Sequence, residues 1–132
     1  AAKGGSEERA YPWSNPSNST AIDPSRANYY FAGAPVHPVQ VGATPLGQGK
    51  WGHQDLAGNL WEWVDDGVTN PIFSGDIAQT CNDCANPNDS GYIRFVGGYF
   101  GQTAAYARTM SSAAKLPHER DSVIGFRCAR VP

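Results

Sequence analysis

Gly58-Asn-Leu-Trp-Glu-Trp-Val64 is the stretch whose reading decides the fold. Leu60-Trp-Glu-Trp-Val64 alternates apolar and polar at period two through Trp61, Glu62 and Trp63, or fills one buried edge strand. Ahead of it stands Gly58, which allows the chain to turn sharply into the strand. Glycines at 47, 49, 52 and 58 punctuate residues 47–59 as one turn region.

Working outward, Tyr92-Ile-Arg-Phe-Val96 reads as a second strand and runs into Gly97-Gly98. Val123-Ile-Gly-Phe-Arg-Cys-Ala-Arg-Val131 reads as a final strand, and Pro38-Val-Gln-Val41 alternates as a short one. Thr103 to Lys115 mixes small residues with Tyr106, Arg108 and Met110, and reads as a strand and loop or as one short helical turn. Prolines at 35, 38 and 45 keep residues 29–48 out of a helix. Residues 1–28 are polar and proline-broken, with Tyr11-Pro-Trp13 as their one apolar knot. The expectation is an α+β, loop-rich fold with short antiparallel strands and little regular secondary structure. No repeat or linker divides it, so residues 1–132 read as a single domain.

Composition agrees. The 132 residues include 15 Gly and 10 Pro, which favours turns over regular elements. Aliphatic residues are few, but four Trp, six Tyr and five Phe supply apolar mass, and a net charge of −2 argues against disorder. The balanced charge excludes a phosphate-backbone binder, so nucleic acid is not an expected partner. No apolar run approaches a membrane span.

Two clusters suggest chemistry. Asp55 and Glu62 are carboxylates on either side of Gly58, where the chain can turn sharply. Calcium takes six to eight oxygens, mixing carboxylates with carbonyls of a bent loop, and this stretch offers both. The competing reading is a salt bridge from Glu62, to Arg127 for example, with Asp55 capping a turn. Cys81-Asn-Asp-Cys84 lies in an Asn, Asp and Pro-rich loop; it reads as a disulfide staple, with free thiols or an incomplete metal site as alternatives. A disulfide fits an exported protein, extracellular or periplasmic. His37, His53 and His118 show no metal spacing.

Tyr11-Pro-Trp13, Gly58-Asn-Leu-Trp-Glu-Trp63, Gly97-Gly98 and Gly125-Phe-Arg-Cys128 occur in that order. Together they resemble the formylglycine-generating enzyme (sulfatase-modifying factor) family, whose fold is a loop-rich relative of the C-type lectin domain. The resemblance covers the whole chain but only the C-terminal half of the family domain, and it implies either a partner chain carrying the N-terminal half or a minimal version that folds alone. It implies one structural Ca²⁺ held by the side chains of Asp55 and Glu62 and the carbonyls of Gly58 and Leu60. A second calcium site, starting near Ala27-Asn28, is expected to be lost, because no acid lies between Tyr29 and Gln40. Cys128 reads either as the former partner of a cysteine in the absent half or as a small buried hydrophobe.

Active oxidases of that family depend on a copper-binding cysteine pair between the Gly-Gly turn and the Gly-Phe-Arg strand. Between Gly97 and Arg127 this chain has no cysteine, and Tyr99 stands where a serine is usual. Soft thiolates are what hold copper(I), so formylglycine formation is not expected. The first expectation is therefore a non-catalytic, calcium-stabilised, lectin-like binding or structural module. Its ligand, a peptide, protein or carbohydrate, would meet the 99–118 face through Tyr99, Phe100, Gln102, Tyr106, Arg108 and His118. The second is a fragment or subunit of a metal-dependent oxidase, completed by an N-terminal chain. Trp61 and Trp63 are expected in the core.

Overall fold

The computed structural model describes residues 1–34, 36–67 and 91–128. Four strands, β1 (Trp61–Gly67), β2 (Ile93–Val96), β3 (Ser112–Lys115) and β4 (Ile124–Gly125), form one sheet in the order β3-β2-β1-β4. Helical content among the described residues is limited to 3-10 turns at Gly5–Glu7, Pro45–Gly47 and Ala104–Ala107. The fold is the expected loop-rich α+β type. Thr103–Lys115 contains both of its alternatives, a short helical turn followed by β3.

Strands β1 and β2 pair antiparallel, as do β2 and β3. The last strand departs from the all-antiparallel expectation: β4 runs parallel to β1, with Trp61 opposite Ile124 and Glu62 opposite Gly125. The sheet is therefore mixed. Residues 116–123 carry the chain back past two strands, so it meets β1 in the same direction, and Trp61 N–H donates to the Val123 carbonyl at 2.9 Å. Among the described residues strand pairing stops at Gly125, and Phe126, Arg127 and Cys128 are exposed; the rest of the expected strand, 129–131, lies outside the described residues.

Pro38–Val41 forms no strand. Its extended, alternating look has another cause, because Val39 pairs with a side chain. Val39 N–H donates to Asn59 Oδ1 at 2.9 Å, and Asn59 Nδ2 donates back to the Val39 carbonyl at 3.1 Å. An amide group thus stands in for a neighbouring strand.

Alternation along β1 sorts its side chains as the sequence suggests. Trp61 and Phe95 are buried and Trp63 is half-buried, with Phe95 meeting both indoles edge-on at centroid distances of 5.3 and 5.5 Å. Edge-to-face pairs of this kind add to the area term that already drives aromatic burial. Trp63, Phe95 and Ala113 lie in register across three strands, while Glu62 is in register with Val96 and Gly125.

A second apolar centre lies outside the sheet. Tyr11, Ala57 and Ala107 are buried together, with Trp13 and Ile22 packed against them. Tyr11 stacks face to face on Trp13 at 5.0 Å and donates its hydroxyl to the Ala104 carbonyl at 2.9 Å. Thr109 N–H reaches the Ala10 carbonyl at 3.1 Å, and its hydroxyl reaches the Arg9 carbonyl at 2.5 Å. The polar, proline-broken opening of the chain is thereby fixed to the 104–109 segment.

Replacing Phe95 removes the ring that both indoles contact. Phe95→Ala is expected to lower unfolding free energy by about 3–5 kcal/mol, and Phe95→Leu to cost clearly less. Urea titration of the two variants beside the parent chain checks the order; equal midpoints for all three would contradict the packing described.

Candidate functional site

The loop from Asp55 to Glu62 is bent by three left-handed residues, Asp55 (φ 55°), Gly58 (φ 76°) and Asn59 (φ 64°). At Gly58 any side chain is excluded, since a Cβ would lie 2.4 Å from the Asn28 carbonyl oxygen. Gly58 N–H donates to the Gly97 carbonyl at 2.7 Å, and Asn59 N–H to the Asn28 carbonyl at 2.8 Å. Asn59 also accepts from Phe100 N–H at 3.1 Å through its carbonyl and from Asn28 Nδ2 at 3.2 Å through its side chain. In the sequence reading Asn28 enters only with the second calcium site and Asn59 only within the Gly58-Asn-Leu-Trp-Glu-Trp63 string, neither as a turn anchor.

The two carboxylates of this loop meet protein donors. Asp55 Oδ2 accepts from Gly42 N–H at 2.7 Å, with the Thr44 hydroxyl 3.4 Å from Oδ1. Glu62 is gripped by Arg127 in a two-point contact, Nε to Oε2 at 3.0 Å and Nη2 to Oε1 at 2.9 Å. Arg127 Nη2 also donates to the carbonyls of Gln54 (2.9 Å) and Asp55 (3.3 Å). Hydrogen bonding to Glu62 keeps the guanidinium above its already high ordinary value, against the opposing effect of burial. These contacts are the salt bridge and the capping of the competing reading.

Arg127 brings one positive charge to two carboxylates, and each carboxylate oxygen keeps a further lone pair. The carbonyls of Gly58 and Leu60 receive none of the loop's backbone hydrogen bonds. Among the described residues no group of three or more His, Cys, Asp or Glu side chains comes together. An ion here would rest on Asp55, Glu62 and main-chain oxygens, a donor set whose hardness suits Ca²⁺.

The second feature is a cleft of about 320 Å³ on the sheet. Aromatic rings of Trp61, Phe95, Tyr99 and Tyr106 form its walls, together with Val123 and Ile124, and Gln102, Ser112 and Asp121 bring polar groups. The turn that supplies Tyr99 depends on Gly98 (φ 73°), where a Cβ would lie 2.6 Å from the Tyr106 carbonyl. Gln102 Oε1 is buried and accepts no hydrogen bond from any described residue. Leaving such an acceptor unmet costs about 1–3 kcal/mol. Ser112 accepts from Arg94 Nη1 at 2.8 Å. Asp121 pairs with Lys115 and accepts from Val123 N–H at 3.1 Å.

Of the six residues read as ligand-facing, the structure gathers Tyr99, Gln102 and Tyr106 around this cleft. Phe100 is not among its lining residues and stacks edge-on against Tyr99 at 5.3 Å. Arg108 and His118 are exposed and absent from the lining; at Arg108 the chain leaves the 3-10 turn in an extended conformation, and His118 lies beyond β3. Cys128 is exposed and free, which excludes its reading as a buried hydrophobe. Cys81 and Cys84 lie outside the described residues.

Residues 1–132 match the Sulfatase-modifying factor enzyme 1-like domain, and the chain belongs to that family. Over its full length it is 30% identical, across 143 aligned residues, to a formylglycine-generating enzyme of Thermomonospora curvata. It covers 46% of that protein, so the chain spans about half the length of the curated relative it matches. The structure of PvdO from Pseudomonas aeruginosa superposes with a TM-score of 0.71 at 22% identity, over 95% of this chain and 46% of that one. Treponema denticola variable protein 1 gives 0.65 at 21% identity, over 95% and 41%. At these identities the two structures establish the fold.

Acid should loosen the cleft edge. The hydrogen bond from Lys115, then that from Val123 N–H, holds the Asp121 carboxyl below its ordinary 3.8. A depressed carboxylate contributes its stabilisation in full above the unfolded value and loses it as pH falls through the folded one. The Lys115–Asp121 contribution is thus constant from pH 7 to about 5 and declines below 3.8. Melting curves of the parent chain and Asp121→Asn across pH 2–7 check this; a gap between them that persists at the lowest pH would contradict it.

Proposed function

We propose that this chain forms part of a non-catalytic binding module on the sulfatase-modifying-factor scaffold, pinned by one Ca²⁺ and taking its ligand in the cleft beside Tyr99 and Tyr106. The observation that carries this reading is the character of the cleft's rim. Gln102 and Tyr106 line it from the segment after Gly97-Gly98, and no cysteine lies between Gly97 and Arg127. An amide and a phenol recognise polar and aromatic groups, whereas neither replaces a thiolate as a ligand for copper(I). A cleft walled by aromatic rings with a few polar groups is what ligand binding needs.

The calcium ion, when bound, would supply the positive charge that Arg127 leaves wanting on the 55–62 loop. Asp55 and Glu62, with the carbonyls of Gly58 and Leu60, would hold it. Arg127 orients Glu62 from its other side, and Gly42 and Thr44 orient Asp55. Export to an extracellular or periplasmic setting belongs to the same proposal, supported by the Cys81-Asn-Asp-Cys84 pattern in the sequence.

The 30% identity to a formylglycine-generating enzyme favours a second reading, in which this chain is the half of an oxidase that another chain completes. Incubating copper and a Cys-x-Pro-x-Arg peptide with the purified chain, alone and together with any chain that co-purifies with it from native material, separates the two. No aldehyde is expected by mass spectrometry; a detectable aldehyde would replace the binding module with the oxidase.

Calcium should raise the melting temperature relative to EGTA. At a free concentration of 100 times the dissociation constant, the linked stabilisation is about 2.7 kcal/mol. Glu62→Gln is expected to abolish the difference. Superimposable curves for the parent chain would remove calcium from the proposal and leave Arg127 as the sole clamp of the loop.

A further inference from the structure

Resting on the binding-module reading, the chemistry of the cleft narrows the class of ligand. Among the described residues its lining contains no Lys, Arg or His, so no cation of the lining pairs with a phosphate or carboxylate. The one carboxylate among those residues, Asp121, is paired with Lys115, so this edge of the cleft carries little net charge. What remains is neutral: the Gln102 amide and the phenols of Tyr99 and Tyr106, set among flat aromatic walls, with the Ser112 hydroxyl already bonded by Arg94.

A space of about 320 Å³ admits one ring with its substituents and excludes a folded partner. Aromatic faces pack against the C–H face of such a ring, while amides and hydroxyls exchange hydrogen bonds with groups that both donate and accept. An aromatic side chain of a peptide would use the walls but would leave most of these polar groups unmatched. We infer that the cleft binds a neutral polyhydroxylated ring, a saccharide unit, and that Gln102 is its specificity-determining residue. The Gln102 Oε1 accepts no hydrogen bond from any described residue, and turning the amide toward the cleft lets a ligand hydroxyl provide one. Backbone bonds on either side, Tyr30 N–H to the Gln102 carbonyl at 2.8 Å and Gln102 N–H to the Tyr99 carbonyl at 3.0 Å, hold the residue in place while its side chain moves.

The test titrates the full chain with glucose, N-acetylglucosamine and, as the peptide-like comparator, N-acetyltyrosine amide. Calorimetry and saturation-transfer NMR report binding. At least one sugar is expected to bind saturably and more tightly than the comparator. Gln102→Leu, which keeps the volume and removes the acceptor, should weaken that sugar at least tenfold while leaving the melting temperature unchanged or higher. A fall in melting temperature alongside the lost affinity would make Gln102 structural and overturn its assigned role, as would sugar binding that ignores the substitution. Binding of N-acetyltyrosine amide without any sugar would overturn the saccharide class while the module reading stands. No binding by any probe, together with aldehyde from the copper assay, would end both.

Discussion

The turn at Gly58-Asn59 is the constraint on which the rest of the molecule depends. An asparagine in the left-handed conformation exposes its own N–H and carbonyl in directions that a strand residue would not. Here those groups meet Asn28 and Phe100, while the side-chain amide spans both backbone groups of Val39. One residue therefore joins the 28–39 segment, the Gly-Gly turn region and the start of β1. Buried backbone groups must find partners, and in a chain with so few regular elements a side chain has to supply them. Glycine at 58 follows from the same arrangement, because the Asn28 backbone occupies the space a Cβ would need.

From that turn the two candidate sites diverge along alternating residues of one strand. Trp61 goes to the aromatic packing beneath the cleft, and Glu62 goes to Arg127 on the adjoining loop. The period-two geometry of β1 therefore separates an apolar binding surface from an electrostatic clamp within two consecutive positions. The clamp engages the segment just after β4, so the short parallel pairing of β4 with β1 is reinforced from beyond its end. A two-residue strand has little pairing of its own, and a two-point guanidinium contact supplies the anchoring that further ladder bonds would otherwise give.

Parts of this were legible in the residues. Alternation in Leu60–Val64 led to β1, and the apolar run around Phe95 led to β2. Alternation misled at Pro38–Val41, where extended backbone is held by an amide that is distant in sequence; from Val123 onward a strand does form, and among the described residues its pairing ends at Gly125, just before the Arg127 contact. The direction of β4 is a property of the path through residues 116–123, about which local periodicity says nothing. Tyr99, Gln102 and Tyr106 were identifiable as neighbours by their position after the Gly-Gly pair. Arg108 and His118 were not separable from them by that position alone.

The attachment of residues 9–14 to the 104–109 segment has a further implication. Tyr11 and Thr109 make the opening stretch a strut beneath the wall that carries Tyr106. The placement of that wall is therefore tied to residues almost a hundred positions upstream that do not line the cavity.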